Sequence, residues 1–149
     1  MYGVLSEGGE EESPALLAAA SRGQEDMLEL LLIAGHDVNS SNRDGTTALH
    51  VAATMGYDKC VQVLLRNGAD AMKKSKRSKT AGHMAAEQGN AEVLRRLVKH
   101  AGVQVLLAAS DTGGTCAHEA AAGGHQQTLE MIWQEGGEEA ILVGDREER

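Results

Sequence analysis

The chain has 149 residues, is 42% apolar and 24% charged, and carries a formal net charge of −8. These values fit one globular domain with a real core, and no apolar run approaches the roughly 18 residues of a membrane span. With no Phe, one Trp, two Tyr and 18 Gly, the core has to come from Ala, Leu, Val, Ile and Met, which suits short, closely packed helices and frequent turns better than a β-sandwich.

Residues 1–12, "MYGVLSEGGEEE", are acidic and lack a signal-peptide core, so a disordered tail is expected. "PALLAAASRG" (Pro14 to Gly23) and "LELLLIAGHDVN" (Leu28 to Asn39) read as a first helix pair. The next pair is sharper. In "TALHVAATMG", Thr47 stands where an N-cap is wanted, Ala52 and Ala53 give a small-residue face, and Gly56 ends the helix as a left-handed residue would. In "VQVLLRNGAD", Val61, Leu64 and Leu65 share one face and Gly68 stops the helix. The basic run "KKSKRSK" (Lys73 to Lys79) comes next, five cations in an acidic chain. "TAGHMAAEQG" (Thr80 to Gly89) and "LRRLVKHAG" form a third pair, "TCAHEAAAGG" (Thr115 to Gly124) and "LEMIWQEGG" a fourth. Between them "HAGVQVLLAASDTGGT" holds a two-residue insertion with Val103, Val105, Leu106 and Leu107, expected either to pack under a turn or to extend the preceding helix, with an exposed apolar contact as the alternative. "AILV" (Ala140 to Val143) is expected to help close the end or to begin another element, and "GDREER" to fray.

The Thr47 string recurs 33 residues on at Thr80 and 35 further on at Thr115, and its register reaches back to Pro14. A period near 33 marks an array of units that stack because none buries a core alone. The reading is an all-α solenoid of four helix–turn–helix units over 13–41, 42–74, 75–109 and 110–137, followed by a C-terminal capping segment over 138–149.

These strings resemble ankyrin repeats, whose pattern carries T-P-L-H-x-A-A at the first helix and L-L-x-x-G-A-D at the end of the second. The resemblance is strongest in "NRDGTTALHVAATMG" with "VQVLLRNGAD", and covers most of the chain. It implies an L-shaped stack with β-turn fingers at one edge. It also implies a scaffold for another protein, bound on the concave surface of fingers and first helices, with no catalysis and no cofactor. Carried over by position, the contact candidates are Arg43, Asp44, Thr46, Thr54 and Met55 in the second unit, with Asn67 near the same face. In the third unit they are Lys76, Arg77 and Lys79, with Glu87 and Gln88 on the helix; Thr112 and Gly114 are weak counterparts in the fourth, and Lys73 and Lys74 join the candidates as the start of the basic run. Lys76, Arg77 and Lys79 fall near the finger tip. The resemblance also gives His50, His83 and His118 a bracing role, by hydrogen bonds to backbone.

The departures are informative. Leu17 replaces the histidine in the first unit, and Glu25, Asp26 and Glu29 suit a polar outer cap. Gly82 replaces a Leu and Ser78 a turn Gly, so the third unit is expected to be the softest. Trp133 stands for a buried Leu and is expected to cover the open end.

Catalytic and metal chemistry find no support. The three aligned histidines sit one per unit, roughly 8–10 Å apart by helix packing, whereas one zinc needs ligands near 2 Å. His118 and His125 are seven apart across Gly123 and Gly124, which excludes the zinc-protease spacing. Asn39-Ser40-Ser41 is a glycosylation sequon that a chain in the cytosol would not use. Cys60 and Cys116 form no C-x-x-C and are expected as buried thiols in a reducing, cytoplasmic or nuclear setting. Polyanion binding or nuclear import through the basic run is the alternative function. Nucleic acid is disfavoured, because few aromatics are available for stacking and the chain outside the run carries −13. A monomer is the expected state.

Overall fold

A computed structural model of the chain describes residues 13–147, and side chains as far as Leu142. The acidic stretch 1–12, expected as a tail, lies outside the described residues. The elements run α1 (Pro14–Ser21), α2 (Glu25–Ile33), α3 (Ala48–Met55), α4 (Asp58–Arg66), a 3₁₀ turn (Lys76–Ser78), α5 (Ala81–Glu87), α6 (Ala91–Ala101), α7 (Gln104–Leu107), α8 (Cys116–Ala122) and α9 (Gln126–Glu147). The first helices α1, α3, α5 and α8 stack neighbour on neighbour, and α2, α4, α6 and α9 form the layer behind them. No helix among the described residues is long and apolar enough to cross a membrane.

Small residues set the spacing of the front layer. Ala19, Ala20, Ala52, Ala53, Ala85, Ala86, Ala117 and Ala120 are all buried between adjacent first helices, and without atoms beyond Cβ they let the axes approach closely. Larger side chains from both layers supply the volume of the core. Leu16, Leu28, Leu49, Leu64, Leu94, Leu97 and Ile132 are fully buried, each contributing on the order of 1.5–3 kcal/mol by transfer from water. On α6 the buried Val93, Leu94, Leu97 and Val98 form one stripe, and the charged residues take the other face.

The insertion solves a packing problem that Gly82 creates. A Cβ on Gly82 would lie 2.8 Å from Val105 Cγ1 and 3.3 Å from Cys116 Sγ. The extra turn α7 thus pushes Val105 into the volume the usual Leu would fill, and both Val105 and Leu106 are fully buried. Only Val103 stays open, 44% exposed. This removes one of the two reasons to expect a soft third unit. The other remains: Arg77 and Ser78 have φ of 67° and 59°, where the matching Gly45 and Gly113 take positive φ without a Cβ penalty. Ser78→Gly is therefore expected to raise stability by about 0.5–1 kcal/mol, read as a higher urea midpoint with unchanged slope.

Two expectations about the ends need correction. The first unit is not sealed by polar residues: Met27, Leu30 and Ile33 on α2 are 46%, 61% and 74% exposed. Its acids serve other ends, Glu25 and Asp26 in the first turn where the helix dipole favours them, and Glu29 on Arg66 of the next unit at 2.8 Å. Trp133 does not cover the far end either; it is 55% exposed, while its neighbours Met131 and Ile132 are buried. Closure there comes from a break in α9 at Gly137 (φ 67°, ψ −162°), which brings a buried Ala140 and a half-buried Ile141 onto the core. The helical backbone of α9 runs to Glu147; the last two residues lie outside the described residues.

Candidate functional site

The fingers are short closed turns with one design. In each, the first residue's N–H donates to the carbonyl four residues on: Asn42 to Thr46 at 3.1 Å, Ser75 to Lys79 at 2.8 Å, Ser110 to Gly114 at 2.8 Å. Asn42 Oδ1 also accepts from the N–H groups of Asp44 and Thr46, and Ser110 Oγ from that of Gly114. Neighbouring fingers are then joined backbone to backbone. Lys76 N–H donates to the Asp44 carbonyl at 2.7 Å, and Asp111 N–H to the Arg77 carbonyl at 3.0 Å. The result is a continuous row that displays side chains at fixed spacing.

Histidines fix that row to the helices. Thr47 caps α3 and Thr80 caps α5, and in each case the histidine at the third helical position completes a capping box. His50 Nδ1 accepts the Thr47 N–H at 3.0 Å, and its Nε2–H donates to the Lys79 carbonyl in the next finger at 3.1 Å. His83 does the same between Thr80, at 3.0 Å, and the Gly114 carbonyl, at 3.0 Å. Both rings are therefore neutral with the proton on Nε2. His118 occupies the matching place on α8, half-buried, but the Thr115 hydroxyl makes no cap bond there and is buried without a partner.

Burial pushes the pKa of both His50 and His83 below the ordinary value of 6.5, against the raising effect of their backbone bonds. The unfolded chain then binds more protons in the window below about 6.5, so stability falls on acidification through that window and is fully recovered above it. Thermal melting at pH 7.5 and pH 5 is expected to show a lower midpoint in acid, and a His50→Gln, His83→Gln variant a weaker dependence.

A second set of inter-unit contacts lies where each second helix begins, and the contact pattern of the fingers gave no hint of it. Asn90 Nδ2 donates to the carbonyls of Ala53 and Thr54 at 2.8 and 3.1 Å. His125 Nε2 donates to the Glu87 carbonyl at 2.8 Å. Tyr57 takes the equivalent place against Gly23, where a Cβ would meet its ring at 3.2 Å. Asn90 and His125 lie closer still over Gly56 and Gly89, where a Cβ would meet them at 2.9 and 2.5 Å. The signal was present: all three residues directly follow the first-helix glycine of their unit, in register.

The proposed contact residues separate into two groups. Arg43, Asp44, Met55, Asn67, Lys74, Lys76, Arg77 and Gln88 are exposed, and Thr46, Thr54, Lys73, Lys79 and Glu87 are half-buried. Among the half-buried ones, Thr54 Oγ1 donates to the His50 carbonyl at 2.8 Å. Lys79 does not stand at a finger tip. It closes the base of its turn, and its Nζ lies 3.3 Å from Glu87 and 3.3 Å from Glu119. Burial alone lowers its pKa, but the two carboxylates outweigh that and hold it above the usual lysine value. Lys79 and Glu87 thus act as an internal strut linking the third and fourth units. Lys76 is paired more loosely with Asp44, at 3.6 Å on the exposed surface. Arg43, Lys74 and Arg77 make no ion pair among the described residues. Asn67 caps the end of α4, its Nδ2 donating to the Val63 carbonyl at 2.8 Å, and Thr112 in the fourth finger is exposed.

No group of three or more His, Cys, Asp or Glu among the described residues is arranged to hold a metal ion. Both thiols are buried and free, and burial pushes Cys116 up to about 12, so neither is an activated nucleophile.

No curated protein was found to match the chain. The family model described as ankyrin repeats (3 copies) matches residues 4–75 and again 59–140. Ankyrin repeats are in general protein–protein interaction modules without catalytic activity. With the period, the paired helices, the capped T-x-x-H turns and the linked fingers, this match over most of the length means that the chain belongs to the ankyrin repeat family.

Proposed function

We propose that the chain is an adaptor, scaffold or inhibitor that works as a monomer in the cytoplasm or nucleus and holds a protein partner on its fingers and first-helix ends. The observation that carries the reading is the set of cations Arg43 and Arg77 on the fingers and Lys74 beside them, which form no ion pair among the described residues, with exposed Met55 and Gln88 nearby. A cationic rim around a partly apolar floor suits an acidic patch with an apolar residue at its centre. Because Lys76 and Lys79 are engaged with Asp44, Glu87 and Glu119, the basic run offers fewer free charges than its sequence suggests. That favours a protein partner over a polyanion or an import receptor reading the run as an extended signal.

Affinity capture with mass spectrometry identifies candidates, and each is then titrated against the wild-type chain and an Arg43→Glu, Lys74→Glu, Arg77→Glu variant. These three side chains are exposed and form no ion pair among the described residues, so the fold should survive. The expected result is a loss of affinity of about tenfold or more and a steep salt dependence in the wild type only. Equal binding by both chains would remove the fingers from the site.

A further inference from the structure

We infer that the groove between α4 and α6, on the layer opposite the fingers, is a second docking site, for a phosphorylated segment of a partner protein. The groove has a volume of about 400 Å³ and is lined by Leu65 and Arg66 of α4 and by Glu92, Arg95, Arg96 and Lys99 of α6. Four cations thus converge on one groove of a chain whose net charge is −8. On α6, Arg95 and Lys99 are four residues apart, so two like charges share one face, an arrangement that is destabilising in an isolated helix. Something of opposite charge between them would remove that cost.

The existing ion pairs indicate what kind of anion fits. Arg96 is held by a two-point contact with Asp58, Nε to Oδ1 at 2.7 Å and a terminal N–H to Oδ2 at 2.8 Å. It forms a fixed wall. Arg66 and Arg95 are held differently, each by a single donor, to Glu29 and Glu92. The Glu92 side chain is 77% exposed and that of Arg66 57%, so both pairs are cheap to open, and each guanidinium has several of its five donors to spare. Lys99 pairs with no carboxylate among the described residues. Counting Glu29, Glu92 and Asp58 against the four cations leaves little net positive charge. A single carboxylate would merely exchange with those already present. A phosphate ester carries about −1.5 to −2 charges and three acceptor oxygens, so it can draw Arg66, Arg95 and Lys99 together where a monoanion cannot. The groove volume exceeds that of one phosphate group, which leaves room for flanking peptide beside the exposed Gln62 and His100.

The test uses the full chain, isotopically labelled for NMR. The probes are a glycine–alanine heptapeptide with one central phosphoserine, the same peptide unphosphorylated, inorganic phosphate and a twelve-residue oligouridine. The phosphopeptide is expected to shift the amide signals of residues 95–100 and the Arg66 and Arg95 Nε–H signals, leaving residues 42–46 and 75–79 unmoved. The unphosphorylated peptide should bind at least about tenfold more weakly, and inorganic phosphate more weakly than the phosphopeptide. Arg95→Gln, Lys99→Gln should abolish the shifts while the rest of the spectrum stays folded, and Lys74→Glu, Arg77→Glu should leave them intact. The inference is overturned by shifts centred on the fingers, or by equal binding of the two peptides. It is equally overturned by free phosphate or oligouridine binding the groove more tightly than the phosphopeptide, or by full binding to the glutamine variant.

Discussion

Replacing His83 by alanine is expected to destabilise the fold by about 3 kcal/mol. The ring is fully buried and joins two units. Its Nδ1 takes the N–H at the start of α5, and its Nε2–H supplies the Gly114 carbonyl at the base of the next finger. Alanine leaves the Thr80 N–H without its partner and the Gly114 carbonyl with the Ser110 N–H alone, in a space too confined for easy solvation, and opens a cavity between α5 and α8. His83→Gln, which restores one bond at most, should recover part of the loss. Urea unfolding measures both. A loss below about 1 kcal/mol, the size of an exposed cap, would mean that the bond to the fourth finger contributes nothing. The same variant should weaken partner binding beyond its effect on global stability, because it releases the finger row from the helices.

The second large effect is one of sign. Alanine is favoured over glycine inside a helix by about 1 kcal/mol, yet Gly82→Ala is expected to destabilise by about 1–2 kcal/mol. The new methyl would meet Val105 Cγ1 at 2.8 Å and Cys116 Sγ at 3.3 Å, inside a core that cannot yield cheaply. Val105→Ala alone should cost about 2 kcal/mol through the cavity it leaves. In the double variant the first change relieves the second, so Gly82→Ala becomes stabilising in the Val105→Ala background. The double-mutant cycle should return a favourable coupling of about 1–3 kcal/mol. Strict additivity would show that α7 does not fill the space over Gly82.

This pair also shows where reading the sequence stops. The period, Thr47 and Thr80 as caps, Gly56 as a left-handed stop and the apolar stripe of Val61, Leu64 and Leu65 were all legible, because each is a local or periodic property of the chain. The exchange of Gly82 against Val105 was not: each departs from the repeat pattern by itself, but nothing links the two departures until the fold brings together positions 23 apart. Lys79 was misplaced for a similar reason. In the sequence it is one of five equivalent cations, and only the approach of Glu87 from α5 and Glu119 from α8 turns it into a strut. The outward face of α2 was misread because its acids were counted without their direction. Glu29 turns toward Arg66, and the face left open is apolar.

For the candidate site, register alone put Arg43, Asp44 and Thr46, and Lys76, Arg77 and Lys79, on the fingers. What the sequence could not supply was which of the basic residues remain free once the internal pairs have formed.

Hydrogen exchange of the chain alone and with a captured partner tests the central claim most directly. Residues 42–46, 75–79 and 110–114, with the C-terminal turns of α3 and α5, are expected to gain protection, while the outward face of α4 and α6 is unchanged by that partner. Protection confined to α4 and α6, with the fingers exchanging as in the free chain, would contradict the assignment of the fingers and first-helix ends as the principal binding surface.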